Sequence, residues 1–160
     1  MRILVVSDSH GKNENVKKAI ESAGKIDALI HLGDVGYSYH EIESMSRVPT
    51  YIVAGNTDYI PELKDRMMLM FGEHMIYVTH GHREGVSMGL STLRYNALQN
   101  ECDIALYGHT HVPFLDENPD DVTILNPGSI SLPRQDDRKK TYAIIDIDDF
   151  DGVSYELHSI

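Results

Sequence analysis

The stretch IALYGHTH, residues 104–111, carries the reading of the fold. Ile104–Tyr107 is apolar and too short for a helix, so a buried strand is expected. Gly108 then turns the chain. His109 and His111, two residues apart after a strand, point the same way and can address one shared site. The same arrangement recurs upstream. Ile3–Val6 leads to Asp8 and His10, Ala28–Leu32 to Gly33 and Asp34, Tyr51–Ala54 to Gly55, Asn56, Thr57 and Asp58, and Met75–Val78 to His80, Gly81 and His82. Each apolar run therefore ends in a residue that can bind a metal ion. In open α/β sheets functional groups gather beyond the carboxyl ends of the strands, so side chains far apart in sequence are expected along one edge.

Between these strands the pattern turns helical. Asn13–Ala23 places Val16, Ala19, Ile20 and Ala23 at three- and four-residue spacing behind a cap at Asn13, and Glu41–Arg47 and Met88–Asn100 are two further helices. After residue 111 the texture changes to the strand-like segments Val112–Leu115, Val122–Leu125, Thr141–Ile147 and Val153–Leu157, with polar loops at Asp116–Asp121 and Arg134–Lys140. Turn-rich connections of this kind favour hairpins, so the second half is expected to be mostly antiparallel. A βαβ-type first half with a β-rich second half implies an α/β fold, two sheets packed face to face with helices outside. There is no internal repeat, low-complexity segment or linker, and 160 residues with 41% apolar content suit one domain, residues 1–160.

Composition narrows the partners. No apolar run approaches a membrane span, and Asp8 interrupts Ile3–Val6 before a signal core can form, which points to a cytoplasmic protein without membrane contact. The single cysteine, Cys102, excludes an internal disulfide and a cysteine zinc cage. A formal net charge of −11 without a basic stripe argues against duplex nucleic acid. It leaves a small phosphorylated substrate open, because bound cations can reverse the potential inside an acidic protein.

Singly, each strand-end motif is ordinary: Gly-Asp and Gly-Asn are common turn dipeptides. Together they supply seven ligand candidates, Asp8, His10, Asp34, Asn56, His80, His109 and His111. Carboxylate, amide oxygen and imidazole without thiolate suit borderline divalent ions such as Mn²⁺, Fe²⁺, Zn²⁺ or Ni²⁺, and leave the choice among them open. Seven are too many for one ion and enough for two divalent metal ions if a carboxylate bridges, for which Asp34 is the candidate. Two aspartates offset about half of the roughly four positive charges, so such a centre stays positive. A metal-bridging hydroxide attacking a phosphate ester is the expected chemistry.

In that order, Asp-x-His, Gly-Asp, Gly-Asn-x-Asp, a strand-end His and Gly-His-x-His resemble the calcineurin-like metallophosphoesterase superfamily across residues 8–111. Asn126-Pro127-Gly128-Ser129 extends the similarity to the compact YfcE-like bacterial and archaeal phosphodiesterase group. The resemblance implies a four-layer α/β/β/α sandwich. It further implies a first ion held by Asp8, His10, Asp34 and His111, a second held by Asp34, Asn56, His80 and His109, and a homodimer or higher homo-oligomer.

One position departs from the family pattern. Many members place a histidine directly after the metal-binding Asn, where this chain has Thr57. Without that acid, leaving-group acidity matters more, which favours phosphodiesters with an activated leaving group over monoesters. His82 is a candidate proton donor and Asp58 a candidate orienting group, placing both with Asn56 as catalytic candidates. His31, His40, His74 and His158 lie outside the motifs, with His31 nearest to them, while Tyr37, Tyr39 and Arg83 are loop neighbours. Two alternatives remain: a non-catalytic interaction scaffold on the same fold, as in Vps29, or a phosphomonoesterase. A scaffold can lose an imidazole without penalty, whereas all seven ligand candidates, His80 included, are retained here.

Overall fold

In chain order the elements are β1 (Arg2–Val6), α1 (Asn13–Ala23), β2 (Ala28–His31), α2 (Tyr39–Ser46), β3 (Thr50–Ile52), β4 (Arg66–Phe71), β5 (His74–Thr79), α3 (Ser91–Gln99), β6 (Ile104–Leu106), β7 (Pro113–Asp116), β8 (Thr123–Pro127), β9 (Thr141–Asp148) and β10 (Gly152–Ser159). They come from a computed structural model that describes residues 1–160 except 38, 119 and 149–151. Two mixed five-stranded sheets result, ordered β10-β9-β1-β2-β3 and β4-β5-β6-β8-β7. β1, β2 and β3 are parallel, as are β5, β6 and β8. The hairpins β4–β5, β7–β8 and β9–β10 are antiparallel, and β9 also pairs antiparallel with β1.

Side chains alternate across each strand, and here both faces are covered. Ile3, Val5, Ala28 and Ile30 face Ile76, Val78, Ile104 and Leu106 in the core between the sheets. On the opposite face of the first sheet, Leu4, Val6 and Leu29 meet Val16, Ala19 and Ile42 from α1 and α2. On the far face of the second, Tyr77, Ala105 and Ile124 meet Leu93 and Ala97 of α3. The layers are therefore α/β/β/α. Each fully buried Ile, Leu or Val contributes roughly 1.5–3 kcal/mol, which explains why these strands read as unbroken apolar runs.

The differences from the sequence reading have local causes. Asn13 is the first helical residue rather than a side-chain cap; Lys12 precedes it, and the Asn13 amide donates to Glu41 Oε2 at 2.6 Å, tying α1 to α2. The third helix begins at Ser91 rather than Met88, since Gly89 takes φ 149° and Met88 is exposed. Strand β4 went unread: RMMLMF looks like a methionine-rich run, yet as an edge strand it alternates outward and inward, with Met68 and Met70 exposed. The second half is mostly antiparallel, as its turn-rich connections imply, except that β8 pairs parallel with β6; β7 and β8 extend the second sheet while β9 and β10 extend the first. Within the expected loop at 116–121, residue 119 lies outside the described residues. Among the described residues no helix is long and apolar enough to cross a membrane.

Candidate metal centre

The seven ligand candidates meet where the loops after β1, β2, β3, β5 and β6 converge. Asp8 N donates to Gly33 O (3.1 Å), His10 N to Asp34 O (2.9 Å) and Gly11 N to Val35 O (3.0 Å), so the first two loops run side by side beyond their strands. Five of the seven residues have left-handed backbone: Asp8 (φ 55°), His10 (47°), Asp34 (51°), His109 (68°) and His111 (60°). Such conformations cost on the order of 1 kcal/mol or more each in L residues and persist where the surroundings over-determine them. Glycine makes the convergence sterically feasible: a Cβ on Gly55 would lie 2.2 Å from Asp34 Oδ1, and one on Gly108 2.0 Å from Ser7 Oγ.

Asp8 is fully buried. Its Oδ2 accepts from Ser7 Oγ (2.6 Å) and His109 N (3.2 Å), but no donor reaches Oδ1 with hydrogen-bond geometry. His111 Nε2 lies 3.0 Å from that orphaned oxygen. The tautomer of His111 is set elsewhere, since its Nδ1 lies 2.6 Å from Leu132 O, an acceptor, and must carry the proton. A neutral His111 therefore turns a bare Nε2 toward a bare carboxylate oxygen. Either a proton or a cation has to lie between them. Burial acts to lower the His111 pKa, but Asp8 outweighs it and holds it above the ordinary value. Burial likewise acts to raise Asp8, yet His111 and His80 bring it below the usual carboxylate range. His10 Nε2 is 3.5 Å from His111 Nε2, and Asp8, His10, Asp34 and His111 each present a ligand atom within 4.8 Å of the others.

Asp34 joins this group to a second one. Its Oδ2 lies 3.8 Å from His10 Nε2 and 3.7 Å from His80 Nε2. His80 is fully buried and, like His111, anchored by a backbone carbonyl, with Nδ1 2.6 Å from Leu32 O. That leaves its Nε2 facing the Asn56 Oδ1 at 3.1 Å, while His109 Nδ1 approaches the same oxygen at 2.9 Å. Burial, then the proximity of His80, lowers the His109 pKa. The donor set fits divalent cations, with imidazole, carboxylate and amide oxygen directed inward and the outer ring nitrogens of His80 and His111 fixed by backbone carbonyls.

Several neighbours orient these groups. Thr57 donates to Asp34 Oδ1 through its amide (2.9 Å) and its hydroxyl (2.8 Å), which leaves Asp34 Oδ2 for the centre. The Asp58 carboxylate is taken up by backbone N–H groups of Val35 (3.1 Å), Gly36 (3.0 Å) and Gly55 (2.9 Å), clasping the Asp34 loop to the Asn56 loop. His82 packs beside the second group, its ring 5.4 Å from His80 and 6.2 Å from His109, with a buried Nδ1 that lacks a partner. Burial and then His80 lower its pKa. In the Asn126-Pro127-Gly128-Ser129 turn, Asn126 Nδ2 donates to Gly108 O (3.0 Å) and Ser129 Oγ to Asp8 O (2.9 Å), locking two ligand loops together. Ser7 had no sequence signal beyond standing next to Asp8.

The remaining histidines are accounted for by local partners. His40 pairs with Glu43, His74 with Asp103 and His158 with Glu156. His31 is buried under the centre, where Nδ1 accepts from Gly33 N (3.2 Å) and Nε2 meets Ser9 Oγ at 2.9 Å. Tyr39 is buried, Tyr37 is exposed, and Arg83 pairs with Asp65 at 3.2 Å. Cys102 is buried, and burial raises its pKa to about 11, which leaves it an inert thiol.

A model of the calcineurin-like phosphoesterase superfamily domain matches residues 1–150. The chain belongs to that superfamily. It is 35% identical over 149 residues to the probable metallophosphoesterase YsnB of Bacillus subtilis, covering 92% of this chain and 85% of that protein. It is 26% identical to the phosphodiesterase YfcE of Escherichia coli K12, covering 100% of this chain and 95% of YfcE. Among solved structures, a predicted phosphoesterase from Streptococcus pneumoniae TIGR4 superposes with TM-score 0.81 at 30% identity, covering 98% of this chain and 97% of that one. Wild-type Vps29 from Entamoeba histolytica, complexed with Zn²⁺, superposes with TM-score 0.79 at 20% identity over 99% of each chain, a likeness of fold alone. Superfamily membership agrees with the α/β/β/α layering and with the order of the strand-end motifs.

Proposed function

We propose that the chain hydrolyses phosphodiesters with two divalent metal ions, the first held by Asp8, His10, Asp34 and His111, the second by Asp34, Asn56, His80 and His109. The observation that carries this reading is the facing pair of Asp8 Oδ1 and His111 Nε2, 3.0 Å apart in a fully buried position, with His111 Nδ1 committed to Leu132 O. Two lone pairs aimed at each other are repulsive unless a proton or a cation lies between them, and His10 and Asp34, each with a ligand atom within 4.8 Å of this pair, make the position suit a metal cation. Two such ions, Mn²⁺ first among the candidates, would supply an activated water and the positive field that neutralises charge on the phosphoryl oxygens. The chain's own residues hold the geometry: Thr57 steadies Asp34, Asp58 aligns two loops, and the turn at residues 126–129 pins Asp8.

The preference for diesters rests on Thr57. Its hydroxyl donates to Asp34 and is far too weak an acid to protonate a leaving group, so esters whose leaving group departs unaided are expected to react best. The similarity to YfcE, itself named a phosphodiesterase, supports the same class.

The test is to strip the protein with chelator, restore Mn²⁺ or another divalent ion, and compare bis-p-nitrophenyl phosphate with p-nitrophenyl phosphate, using His80→Ala as control. Metal-restored cleavage that favours the diester and is abolished by the substitution is expected. Faster cleavage of the monoester would reassign the reaction. If no ion restores activity above the His80→Ala background, the Vps29-like fold would be serving as a binding scaffold and the hydrolase reading fails.

A further inference from the structure

The wall beside His111 carries a charge unlike the rest of the chain. Residues 134–140 hold Arg134, Arg138, Lys139 and Lys140 against Asp136 and Asp137, in a chain of formal net charge −11. Arg134 and Arg138, with Ser131, Leu132, Pro133 and His111, line an open groove of about 430 Å³. The groove is built onto the metal centre: Arg134 N donates to His111 O (3.0 Å), and His111 Nδ1 donates to Leu132 O (2.6 Å). The residue that faces Asp8 on one side is therefore part of the groove wall on the other.

The two guanidiniums differ in their commitments. Arg138 Nη1 donates to Pro133 O at 3.1 Å, which ties the side chain to a residue of the groove, and among the described residues no hydrogen bond or ion pair takes its other N–H groups. Arg2, Arg83 and Arg94 are held in ion pairs with aspartates. Among the described residues, the exposed Arg134 side chain has no ion pair or hydrogen bond. Leu132, exposed despite its apolar side chain, lies beside Pro133 in the same groove. Paired N–H donors that match phosphate oxygens, next to a small apolar surface, make an anion subsite with room for a carbon framework.

We propose that this groove is a second phosphate subsite, which receives a phosphoryl group carried on the alcohol arm of the diester whose scissile phosphate lies at the metal centre. The proposal rests on the phosphodiesterase reading and narrows its substrates to diesters that bear another phosphate. Such a substrate brings the charge that Arg134 lacks a partner for, in an acidic protein that would otherwise repel it.

A matched pair of chromogenic esters tests it: thymidine 5′-(p-nitrophenyl phosphate) and the same ester bearing a 3′-phosphate, assayed with the Mn²⁺-loaded full chain. The readout is the ratio of the two KM values, in which any general loss of folding or metal cancels. In the wild type, the 3′-phosphorylated ester is expected to have a KM about tenfold lower, the size of one charge-assisted guanidinium–phosphate contact, with kcat little changed. Arg134→Ala should bring the ratio close to one, Arg138→Ala should reduce it, and Arg134→Lys should retain part of it. Calorimetric titration of thymidine 3′,5′-bisphosphate should show the same order of affinities without any turnover. Equal KM values in the wild type, or a preference that survives both alanine variants, would overturn the subsite. Failure to cleave any ester falls instead on the phosphodiesterase reading. The titration then decides the groove: Arg134-dependent binding of the bisphosphate upholds it, and its absence overturns it.

Discussion

Replacing Asp58 by Asn separates a residue that holds loops from one that acts on substrate. The Asp58 carboxylate accepts three backbone N–H bonds, two at Oδ2 from Val35 (3.1 Å) and Gly55 (2.9 Å) and one at Oδ1 from Gly36 (3.0 Å). An amide can present its oxygen to only one of these positions. In the better orientation two bonds survive without the benefit of charge, while the NH₂ group faces the Gly36 N–H. Losing charge assistance on two bonds and orphaning a backbone donor, discounted because the site is only half buried, amounts to about 2–3 kcal/mol. For a chain of this size that corresponds to a drop in Tm of roughly 5–10 °C. Because the clasp joins the loops of Asp34 and Asn56, Mn²⁺ affinity should fall by about tenfold as well. Calorimetric melts of ion-stripped wild type and Asp58→Asn measure the first effect, and a Mn²⁺ titration the second. An unchanged melting temperature together with abolished hydrolysis would refute the clasp and assign Asp58 to the chemistry.

Three further outcomes are expected. Thr57→Val removes the hydroxyl bond to Asp34 Oδ1 but keeps the amide bond, so Mn²⁺ affinity should drop roughly tenfold while Thr57→Ser keeps it; equal affinities for the two variants in a paramagnetic resonance titration would count against a role for the hydroxyl. Gly55→Ala puts a Cβ 2.2 Å from backbone and side-chain atoms of Asp34, so it should destabilise by about 3 kcal/mol or more, against about 1 kcal/mol for Gly152→Ala, where nothing lies within 4 Å; similar urea midpoints for the two would show that the approach can relax. Complete burial, only partly opposed by Asp8, pushes the His31 pKa down from 6.5 to about 4. Between those values the unfolded chain binds the proton and the folded protein does not, so stability should fall as pH drops from 6.5 toward 4, by roughly 3 kcal/mol at most. Urea unfolding of ion-stripped wild type and His31→Gln across that window checks the sign, and parallel slopes for the two proteins would mean that other groups carry the acid sensitivity.

Much of this was legible in the chain because it is written in local pattern. Strands buried on both faces leave unbroken apolar runs, so β1, β2, β5 and β6 could be read directly, and the second residue after each run is a ligand candidate. β4 could not be read in the same way. Its RMMLMF has no β-branched residue, and only the pairing with β5 decides that Met68 and Met70 face solvent while Met67 and Leu69 face the core. Asp58 reads as a group near the chemistry from its position after Asn56, but its partners are backbone amides 22–23 and three residues away in sequence, and backbone amides have no signature in a sequence.

The sequence by itself determined the layered α/β class, the superfamily and the identity of the seven ligand candidates, since each follows from short local motifs and from the order in which they occur along the chain. Tertiary structure alone decided which atoms meet. It set the His111 and His80 tautomers through the carbonyls of Leu132 and Leu32, orphaned Asp8 Oδ1, and turned Thr57 onto Asp34. It also laid Arg134 and Arg138 along a groove shared with His111. Those relations depend on hydrogen bonds and approaches between loops 20 to 120 residues apart, whose directions are fixed only when both sheets have packed.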